Sequence, residues 1–428
     1  MRRSFKVEIQ PTPTQRRALL QNAGCARWAW NWGLARKREA WAERRAALDA
    51  GIPKEEAPKV PTAFDLSNEI VGLKHLTEDR GGKPWLKDSS SRAPQQALRN
   101  LDLAYQAFFR RCKAGEKQRI GFPRFKSRSR GIGGFRLQAA THVSRHTVKL
   151  PKIGRIRLKP GERDYIPHGT YKSARITESA GRWYVSVTPD GEAPEAPPNG
   201  LAAVGIDLGV MRLATLSDGT VYENPRALKH GRRALRHAQR ALSRKARGSQ
   251  RRAKARARVA RVHRRITDIR KDATHKATTD IAKNHGMICI EDLRVANMTR
   301  RCRGKGRRAK SGLNRSVQDA NFYEFRRQLE YKAKLYGVTV IAVNPAYTSQ
   351  RCSKCGYIDA GNRPSQAVFR CIACSYTENA DLNAAKNLVA GSCPETVNAR
   401  GAGIRRGRRK PAAQPAMKRE SAGVVSYG

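Results

Sequence analysis

Apolar residues near the amino terminus alternate with polar ones at the period of a β-strand. The alternation runs through SFKVEIQ, residues 4–10, and predicts a short strand that ends before Pro11. Thr14 is then a suitable N-cap for a helix that begins at residue 15. Apolar residues recur at helical spacing over 91–113, which predicts a second helix. The intervening segment 47–85 is mixed and rich in turn-forming residues.

Strand-like alternation returns beyond residue 122. It occupies three runs, GGFRLQAA, HTVKLPKIGRIRLKP and SARITESAGRWYVSVTPD. The last run predicts a hairpin with Ser179-Ala-Gly181 at its turn. Together with the strand at 4–10, these runs predict a small barrel into which a helical lobe is inserted.

From residue 200 onward, short apolar runs alternate with long amphipathic segments. Three successive strands are predicted in LAAVGIDLG, RLATLSDG and TVYEN. Buried strands are predicted over 287–293 and 338–345. A basic region over about 226–285 predicts two antiparallel helices, which Gly248-Ser249 divides.

The helices of this half carry apolar residues along one side. In the second basic helix the stripe comprises Val259, Val262, Ile266, Ile269, Ala273, Ala277 and Ile281. A basic loop at 299–311 precedes a helix predicted over 316–336, and Asp381–Leu388 starts a final helix. The order of three strands, helices, strand, helix, strand and helix resembles the ribonuclease H-type α/β arrangement.

Charge then narrows the choice of partner. The 428 residues include 87 Lys and Arg against 35 Asp and Glu, a formal net charge of +52. Such an excess repels itself unless a polyanion neutralises it, and counterion release drives binding to phosphate chains. We therefore expect a nucleic-acid partner. No run of about 18 apolar residues and no apolar signal core occur, so we expect a cytoplasmic protein with no membrane partner.

Four tryptophans crowd the first predicted helix, at Trp28, Trp30, Trp32 and Trp41. Packing of the helix against its neighbours is the favoured explanation, because aromatic side chains dominate apolar cores. Stacking on exposed bases is the alternative.

Two Cys-x-x-Cys pairs have the spacing of a zinc ribbon. Cys352/Cys355 and Cys371/Cys374 are separated by fifteen residues, and two such knuckles give the tetrahedral cage that zinc needs. A structural zinc ion is predicted there, with disulfides or free thiols as the alternative. The other cysteines, which we expect to be bystanders, are Cys25, Cys112, Cys289, Cys302 and Cys393.

Three carboxylates occupy positions that a ribonuclease H-type fold would bring together. Asp207 lies in the first strand after residue 200, Glu291 ends the fourth strand and Asp381 begins the last helix. A buried acid costs several kcal/mol unless it is paired. Three of them can hold two Mg²⁺ about 4 Å apart, one activating water and the other stabilising the leaving 3′ oxygen in phosphodiester hydrolysis. Asp292 could replace Glu291 as the inward acid, and Asp381 could instead be an N-cap.

These segments resemble the TnpB (OrfB) family, the transposon-encoded RNA-guided DNA endonucleases related to type V CRISPR effectors. GIDLGVMRLATLSDG is similar to the family's first RuvC motif, ICIEDL to its second, and CIACSYTENADLNAAKNL to its zinc ribbon and third motif. The resemblance assigns catalytic acids to Asp207, Glu291 and Asp381. Many relatives carry Asp-Arg-Asp where this chain has Asn379-Ala380-Asp381, so an arginine that could contact phosphate is missing.

The resemblance implies a multidomain α+β fold. An RNase H-like (RuvC) nuclease domain would carry an inserted zinc ribbon, and a small β-barrel (wedge) domain would carry an inserted helical recognition lobe. The expected bounds are 1–12 and 122–192 for the wedge, 13–121 for the lobe, 193–199 for a linker, 200–350 for the first two nuclease motifs, 351–375 for the ribbon, 376–394 for the third motif and 395–428 for a disordered basic tail.

The resemblance also implies the partners and the reaction. A guide RNA would select double-stranded target DNA next to a short target-adjacent motif, because base pairing sets sequence choice in such systems. A monomer is favoured. A cleavage-inactive RNA-guided repressor is one alternative, which the three intact acids argue against. A DNA-strand transferase is the other, because transposases have similar acid triads.

Overall fold

The computed structural model describes residues 3–115, 121–128, 131–191, 194–302 and 306–391. The chain forms two compact units, one from Met1–Pro194 with Arg233–Arg265 and one from Glu195–Arg232 with Ile266–Gly428. The predicted basic tail at 395–428, part of the predicted linker and Cys393 lie outside the described residues.

Three helices of the first unit pack around one apolar core. They are α1 (Pro13–Asp49), α2 (Ala63–His75) and α3 (Arg92–Lys113), the last of which confirms the helix predicted over 91–113. The N-cap predicted at Thr14 is wrong, because α1 is capped by Thr12. The Thr12 hydroxyl accepts a hydrogen bond from the Gln15 backbone N–H, and the Gln15 side chain accepts one from the Thr12 N–H.

Helix α2 lies inside the segment 47–85, where the sequence pattern indicates turns. Its N-cap Thr62 and third residue Asp65 form the same kind of reciprocal cap as at α1. Leu66 and Ile70 are buried one turn apart. The Thr-x-x-Asp sequence is therefore the signal from which this helix could be predicted.

Eight strands of the first unit form one antiparallel sheet. They are β1 (Phe5–Gln10), β2 (Gly134–Leu137), β3 (Thr141–Val143), β4 (Thr147–Leu150), β5 (Gly154–Leu158), β6 (Gly169–Tyr171), β7 (Ala174–Ser179) and β8 (Arg182–Val187), in the order β2-β7-β8-β1-β5-β4-β3-β6. The first strand thus joins the later ones, as predicted. Ala180 and Gly181 have φ of 50° and 87° and turn β7 into β8, which confirms the hairpin. Among the described strands no pairing joins β2 to β6, and closure into a barrel stays a prediction.

The tryptophans of α1 are mainly packing residues. Trp28 and Trp32 stack with ring centroids 5.6 Å apart, and both pack against the apolar core. Trp30 is buried and its indole N–H donates to the Arg124 carbonyl at 3.0 Å. Trp41 is 42% exposed. The favoured interpretation of helix packing therefore holds for the first three.

Five strands form the main sheet of the second unit. They are β9 (Ala203–Asp207), β10 (Arg212–Leu216), β11 (Val221–Glu223), β12 (Met287–Glu291) and β13 (Thr339–Val343), in the order β11-β10-β9-β12-β13. β10 is antiparallel to β9 and β11, whereas β12 is parallel to β9 and β13. All five predicted strands are present, and the chain is a mixed α+β protein as predicted. A hairpin of β14 (Val368–Arg370) and β15 (Thr377–Asn379) lies in the cysteine-rich segment.

Six further helices are α4 (Ala227–Ser243), α5 (Gln250–Asn284), α6 (Val295–Met298), α7 (Arg307–Ala320), α8 (Phe322–Tyr336) and α9 (Ala380–Ala390). The division near Gly248-Ser249 is confirmed. The single helix predicted over 316–336 is wrong, because Asn321 adopts a left-handed conformation with φ of 60° and separates α7 from α8. The predicted loop at 299–311 is helical from Arg307 onward.

The apolar stripe predicted along α5 is wrong at one position. Ile266 and Ile281 are buried, but Ile269 is 42% exposed. Thr274 and Thr278 are buried instead, and each hydroxyl donates to the carbonyl oxygen four residues earlier. A buried threonine that bonds within its own helix does not register as apolar in the sequence.

No helix in the described part of the chain has both the length and the apolar character needed to cross a membrane.

Candidate active site and cysteine cluster

Asp207 and Glu291 end two neighbouring parallel strands. β9 and β12 pair in register up to Ile206 opposite Ile290, so each acid follows that pair directly. Residues in register on parallel strands point to the same face of the sheet. Burial of the two isoleucines fixes this register. The register in turn places the two acids side by side.

Helix α9 approaches this strand end because Gly205 has no side chain. A Cβ at Gly205 would lie 1.9 Å from the carbonyl oxygen of Ala385, a residue of α9. Asn379 caps the helix, since its Oδ1 accepts from the N–H groups of Asp381 and Leu382 at 3.0 and 3.2 Å. Asp381 is therefore not the N-cap, and its carboxylate stands in the first turn of α9, which packs on β9.

The structure brings the three predicted acids into one electrostatic group. Burial raises the pKa of Asp207 to about 7, and the negative charges of Glu291 and Asp381 add to that rise. Burial also raises the pKa of Glu291, whereas a hydrogen bond from the Thr348 hydroxyl at 3.0 Å lowers it. Clustered like charges with partial burial are an arrangement that a bound cation would stabilise.

Arg363 is a cation at the edge of this group. Its Nη2 lies 3.4 Å from Oδ1 of Asp381. Its positive charge also opposes the rise in the pKa of Asp207. The guanidinium therefore partly offsets the negative charge of the site.

Asp292, the alternative to Glu291, belongs to a different set of contacts. Its carboxylate pairs with Arg326 and its side chain is 51% exposed. Glu291 instead accepts the hydrogen bond from Thr348, and its negative charge raises the pKa of Asp207. Glu291 is thus the acid of the group.

The four cysteines of the Cys-x-x-Cys pairs are gathered into one cluster. The Sγ atoms of Cys352 and Cys374 are 3.7 Å apart, those of Cys355 and Cys371 are 3.6 Å apart, and all four lie within 4.8 Å of one another. A disulfide needs about 2.05 Å. Four sulfurs at about 2.3 Å from one zinc ion lie roughly 3.8 Å apart at tetrahedral angles, so the cluster suits such an ion. The Tyr376 N–H lowers the pKa of Cys374, whereas burial raises the pKa of Cys352 and of Cys355.

Each pair turns as a knuckle. The N–H groups of Gly356 and Ser375 donate at 2.9 Å to the carbonyl oxygens of Cys352 and Cys371. Gly356 has φ of 77° and Ser375 has φ of 58°, so both occupy the left-handed conformation that the turn requires. A glycine occupies this position at the first knuckle, and a serine does so at the second.

Asparagines of α9 connect the helix to the start of the cysteine segment. The Asn383 side chain accepts from the Ser353 N–H at 3.0 Å and donates to the Arg351 carbonyl at 2.8 Å. Asn387 donates to the Thr348 carbonyl at 3.0 Å. Both asparagines are buried. The backbone that carries the hydroxyl bonded to Glu291 is therefore held by α9.

Four of these residues do not belong to any of the motifs recognised in the sequence. They are Thr348, Arg363, Asn383 and Asn387. Asn379, Asn383 and Asn387 are four residues apart and share a helix face, which is a signal in the sequence. No local pattern reveals Thr348 or Arg363, because their approach to the acids depends on how the cysteine segment folds.

Three protein-family models match the sequence. "Probable transposase" (OrfB_IS605) matches residues 184–301, "Cas12f1-like, TNB domain" matches 322–388, and "Helix-turn-helix domain" (HTH_OrfB_IS605) matches 1–46. The first two segments contain all three acids and all four clustered cysteines. The described part of 1–46 consists of strand β1 and most of the continuous helix α1 rather than two helices.

Curated relatives match over nearly the whole chain. A protein of Escherichia coli (strain K12) described as "Putative RNA-guided DNA endonuclease InsQ" is 38% identical over 407 residues, which cover 92% of this chain and 94% of the relative. A "Putative RNA-guided DNA endonuclease" of Streptomyces pristinaespiralis is 32% identical, with 95% and 92% covered. A "CRISPR-associated endodeoxyribonuclease Cas12f1" of Sulfoacidibacillus thermotolerans is 51% identical over 75 residues, 18% of each chain. On this full-length similarity, the chain belongs to the OrfB (TnpB) family.

Proposed function

We propose that this protein is an RNA-guided DNA endonuclease of a transposable element, with Asp207, Glu291 and Asp381 as its catalytic carboxylates. The observation that carries the proposal is the convergence of the three acids, which leaves Asp207 with a pKa of about 7. The descriptions of the full-length relatives agree with this activity. The second unit would then be an RNase H-like (RuvC) domain.

The donor set suits Mg²⁺, because it consists of carboxylate oxygens whose negative charge Arg363 offsets only in part. Two bound Mg²⁺ would activate the attacking water and stabilise the leaving 3′ oxygen. The protein's part is to keep the carboxylates ionised and oriented. Thr348 fixes Glu291 by its hydrogen bond, and the Asn379 cap fixes the backbone of Asp381.

Arg363 has a second role in this proposal. It lies beside Asp381, whereas the residue immediately before that acid is the uncharged Ala380. A guanidinium there can donate to a phosphate oxygen of the bound strand. We propose that the cysteine segment supplies the phosphate contact that residue 380 lacks.

We assign the four-cysteine cluster to one structural Zn²⁺. The sulfur spacing and the paired knuckles support a tetrahedral site. The ion would hold the segment that carries Arg363 and, through the buried asparagines, Thr348. Its effect on catalysis is therefore indirect.

The net charge of +52 supports binding to two kinds of nucleic-acid backbone. We propose that the eight-stranded sheet is the wedge and that α1–α3 form the recognition lobe, with the bounds expected from the sequence. Together they would hold the guide RNA and its heteroduplex with target DNA and would contact the target-adjacent motif. A protein with a chromosomal substrate is expected in the cytoplasm.

The first test uses the RNA that co-purifies with the protein. We expect a discrete species with a variable 3′ end, and the complex should cut DNA that matches that end. Glu291→Gln should abolish cutting, while the neighbouring control Asp292→Asn should retain it, because Asp292 pairs with Arg326 outside the acid group. Full cutting by Glu291→Gln would refute the assigned site. Target occupancy without any cutting would favour a repressor, and joined DNA products would favour a strand transferase.

A further inference from the structure

A cavity of about 590 Å³ adjoins the acid group in the second unit. Glu291 forms part of its wall, together with Leu208 and Ile290 from the strand ends and Phe322 and Tyr323 from the start of α8. Ligand sites in proteins commonly have volumes of about 300–1,000 Å³. The cavity is therefore large enough for a ligand and touches the reacting centre.

The chemistry of the cavity favours an uncharged occupant over a phosphate. Its exposed lining is mainly apolar, and two of its three arginines are already paired, the third being Arg294. Arg326 pairs with Asp292 and Glu330, and Arg327 pairs with Glu324. Glu291 would also repel an anion. An uncharged group with apolar faces fits better.

Two features at the cavity favour a flat ring with polar edges. Tyr323 is 70% exposed although it is a large aromatic residue that lines a mainly apolar cavity. Any of the four nucleobases can stack on such a ring, because every base has a π-face. Asn297 also lines the cavity, and its side chain is exposed. Its amide can donate to or accept from a base edge.

We propose that this cavity binds an unpaired nucleobase of the DNA strand being cut, at a nucleotide next to the scissile phosphate. The inference rests on the proposed endonuclease function and deepens it. A base is joined to its phosphate through one sugar, so a cavity walled by Glu291 is within reach of a base beside the cut. A paired base cannot enter the cavity, so the DNA must be single-stranded at the scissile phosphate. Tyr323 is a substrate-positioning residue in this account.

The test uses the complete protein–RNA complex and matching DNA under single-turnover conditions. Abasic sites replace, one at a time, the nucleotides on either side of the cut. We expect wild-type cleavage to slow about tenfold at one position, in keeping with the strength of base stacking on aromatic residues. Tyr323→Ala should cut intact DNA about tenfold more slowly and should show no further loss at that abasic position. Tyr323→Phe should match the wild type.

Tyr165→Ala is the matched control. Tyr165 is 72% exposed, belongs to the first unit and does not line the cavity. Its replacement should leave the abasic profile with the wild-type pattern, because Tyr165 does not line the cavity. Unaltered cleavage by Tyr323→Ala, or an equal response of that variant and wild type to every abasic site, would overturn the proposal while leaving the endonuclease function intact. Absence of cleavage by the wild type would refute the endonuclease function itself. The proposal that the cavity binds a nucleobase would then fail as well.

Discussion

The cysteine cluster and the carboxylate group are two sets of candidate metal ligands in the same unit, and they are built in opposite ways. The cysteines come from one short segment, and each knuckle sets its own geometry through local backbone hydrogen bonds. The carboxylates come from β9, β12 and α9, and only the sheet register and the packing of α9 on Gly205 bring them together. The first site is local and the second depends on the whole fold of the unit.

The two sites also differ in what they do to stability. The thiol cluster would gain folding free energy from a bound metal ion. The acid group stores unfavourable electrostatics, because burial and neighbouring charge raise the pKa of Asp207 to about 7. Functional sites often cost stability in this way. The comparison predicts that changes at the two sites will separate activity from stability.

The largest effect is expected at Asp207. Asp207→Asn keeps the shape of the side chain but removes the charge, so cleavage should fall by more than about a hundredfold. Rates from single-turnover assays with saturating guide RNA and Mg²⁺ measure this. Retention of more than a tenth of the wild-type rate would contradict the role of Asp207.

The same variant should be more stable than the wild type when divalent cations are absent. Because the folded-state pKa of Asp207 is raised above its unfolded value, its contribution to stability is full below about pH 4 and is lost as pH rises through about 7. At pH 8 in a chelator, Asp207→Asn should therefore raise the melting temperature by roughly 2–4 °C. The gain should shrink at pH 5. A lower melting temperature at pH 8 would contradict the electrostatic account.

The second largest effect is expected at the cysteine cluster. Cys371→Ala should remove the bound zinc and lower cleavage strongly, because the segment that carries Arg363 would lose its support. Metal analysis of the purified protein and cleavage rates check this together. Cys112→Ala is the control, since Cys112 is exposed and lies outside the cluster. Full zinc content and full activity in Cys371→Ala would show that the cluster is not a metal site.

Gly205→Ala links the two sites and should have an intermediate effect. The added Cβ would meet the Ala385 carbonyl at 1.9 Å, so α9 must move away from β9 and carry Asp381 with it. We expect a loss of stability of roughly 1–3 kcal/mol or more and a matching loss of cleavage. Gly72→Ala, where nothing lies within 4 Å of the new Cβ, is the control. Equal unfolding midpoints and rates for the two variants would contradict the packing argument.

The smallest effect is expected at Thr348. Thr348→Val removes the hydroxyl that lowers the pKa of Glu291, so the pKa rises further. Cleavage should fall about tenfold at neutral pH, and the acidic limb of the pH–rate profile should move to higher pH. Thr348→Ser should restore both. A uniform loss at every pH would point to a packing defect instead.

The same contrast explains what the sequence could predict. The cysteine cluster, the five strands of the second unit and the three acids follow from local patterns and their order along the chain. The two helices either side of Asn321 do not, because a left-handed asparagine leaves the helical periodicity unbroken. Helix α2 is not predicted because its segment is rich in turn-forming residues, although the Thr62–Asp65 capping box indicates a helix start.

Contacts between different segments of the chain cannot be predicted from the sequence motifs. Arg363 lies 18 residues before Asp381 in the sequence. Its approach to that acid depends on how the cysteine segment folds. Thr348 likewise meets Glu291 only because α9 holds its backbone. The structure distinguishes Glu291 from Asp292 because Asp292 forms an ion pair with Arg326. Strand alternation alone leaves that choice open.

The most direct test of the account is to reprogram the guide. The 3′ segment of the co-purifying RNA is rewritten to match a chosen plasmid site, and the complex is assembled with wild-type protein or with Asp207→Asn. The account predicts that the wild-type complex linearises that plasmid in Mg²⁺ and spares a plasmid without the match, while the variant cuts neither. Cutting that ignores the guide sequence, or equal cutting by Asp207→Asn, would contradict it.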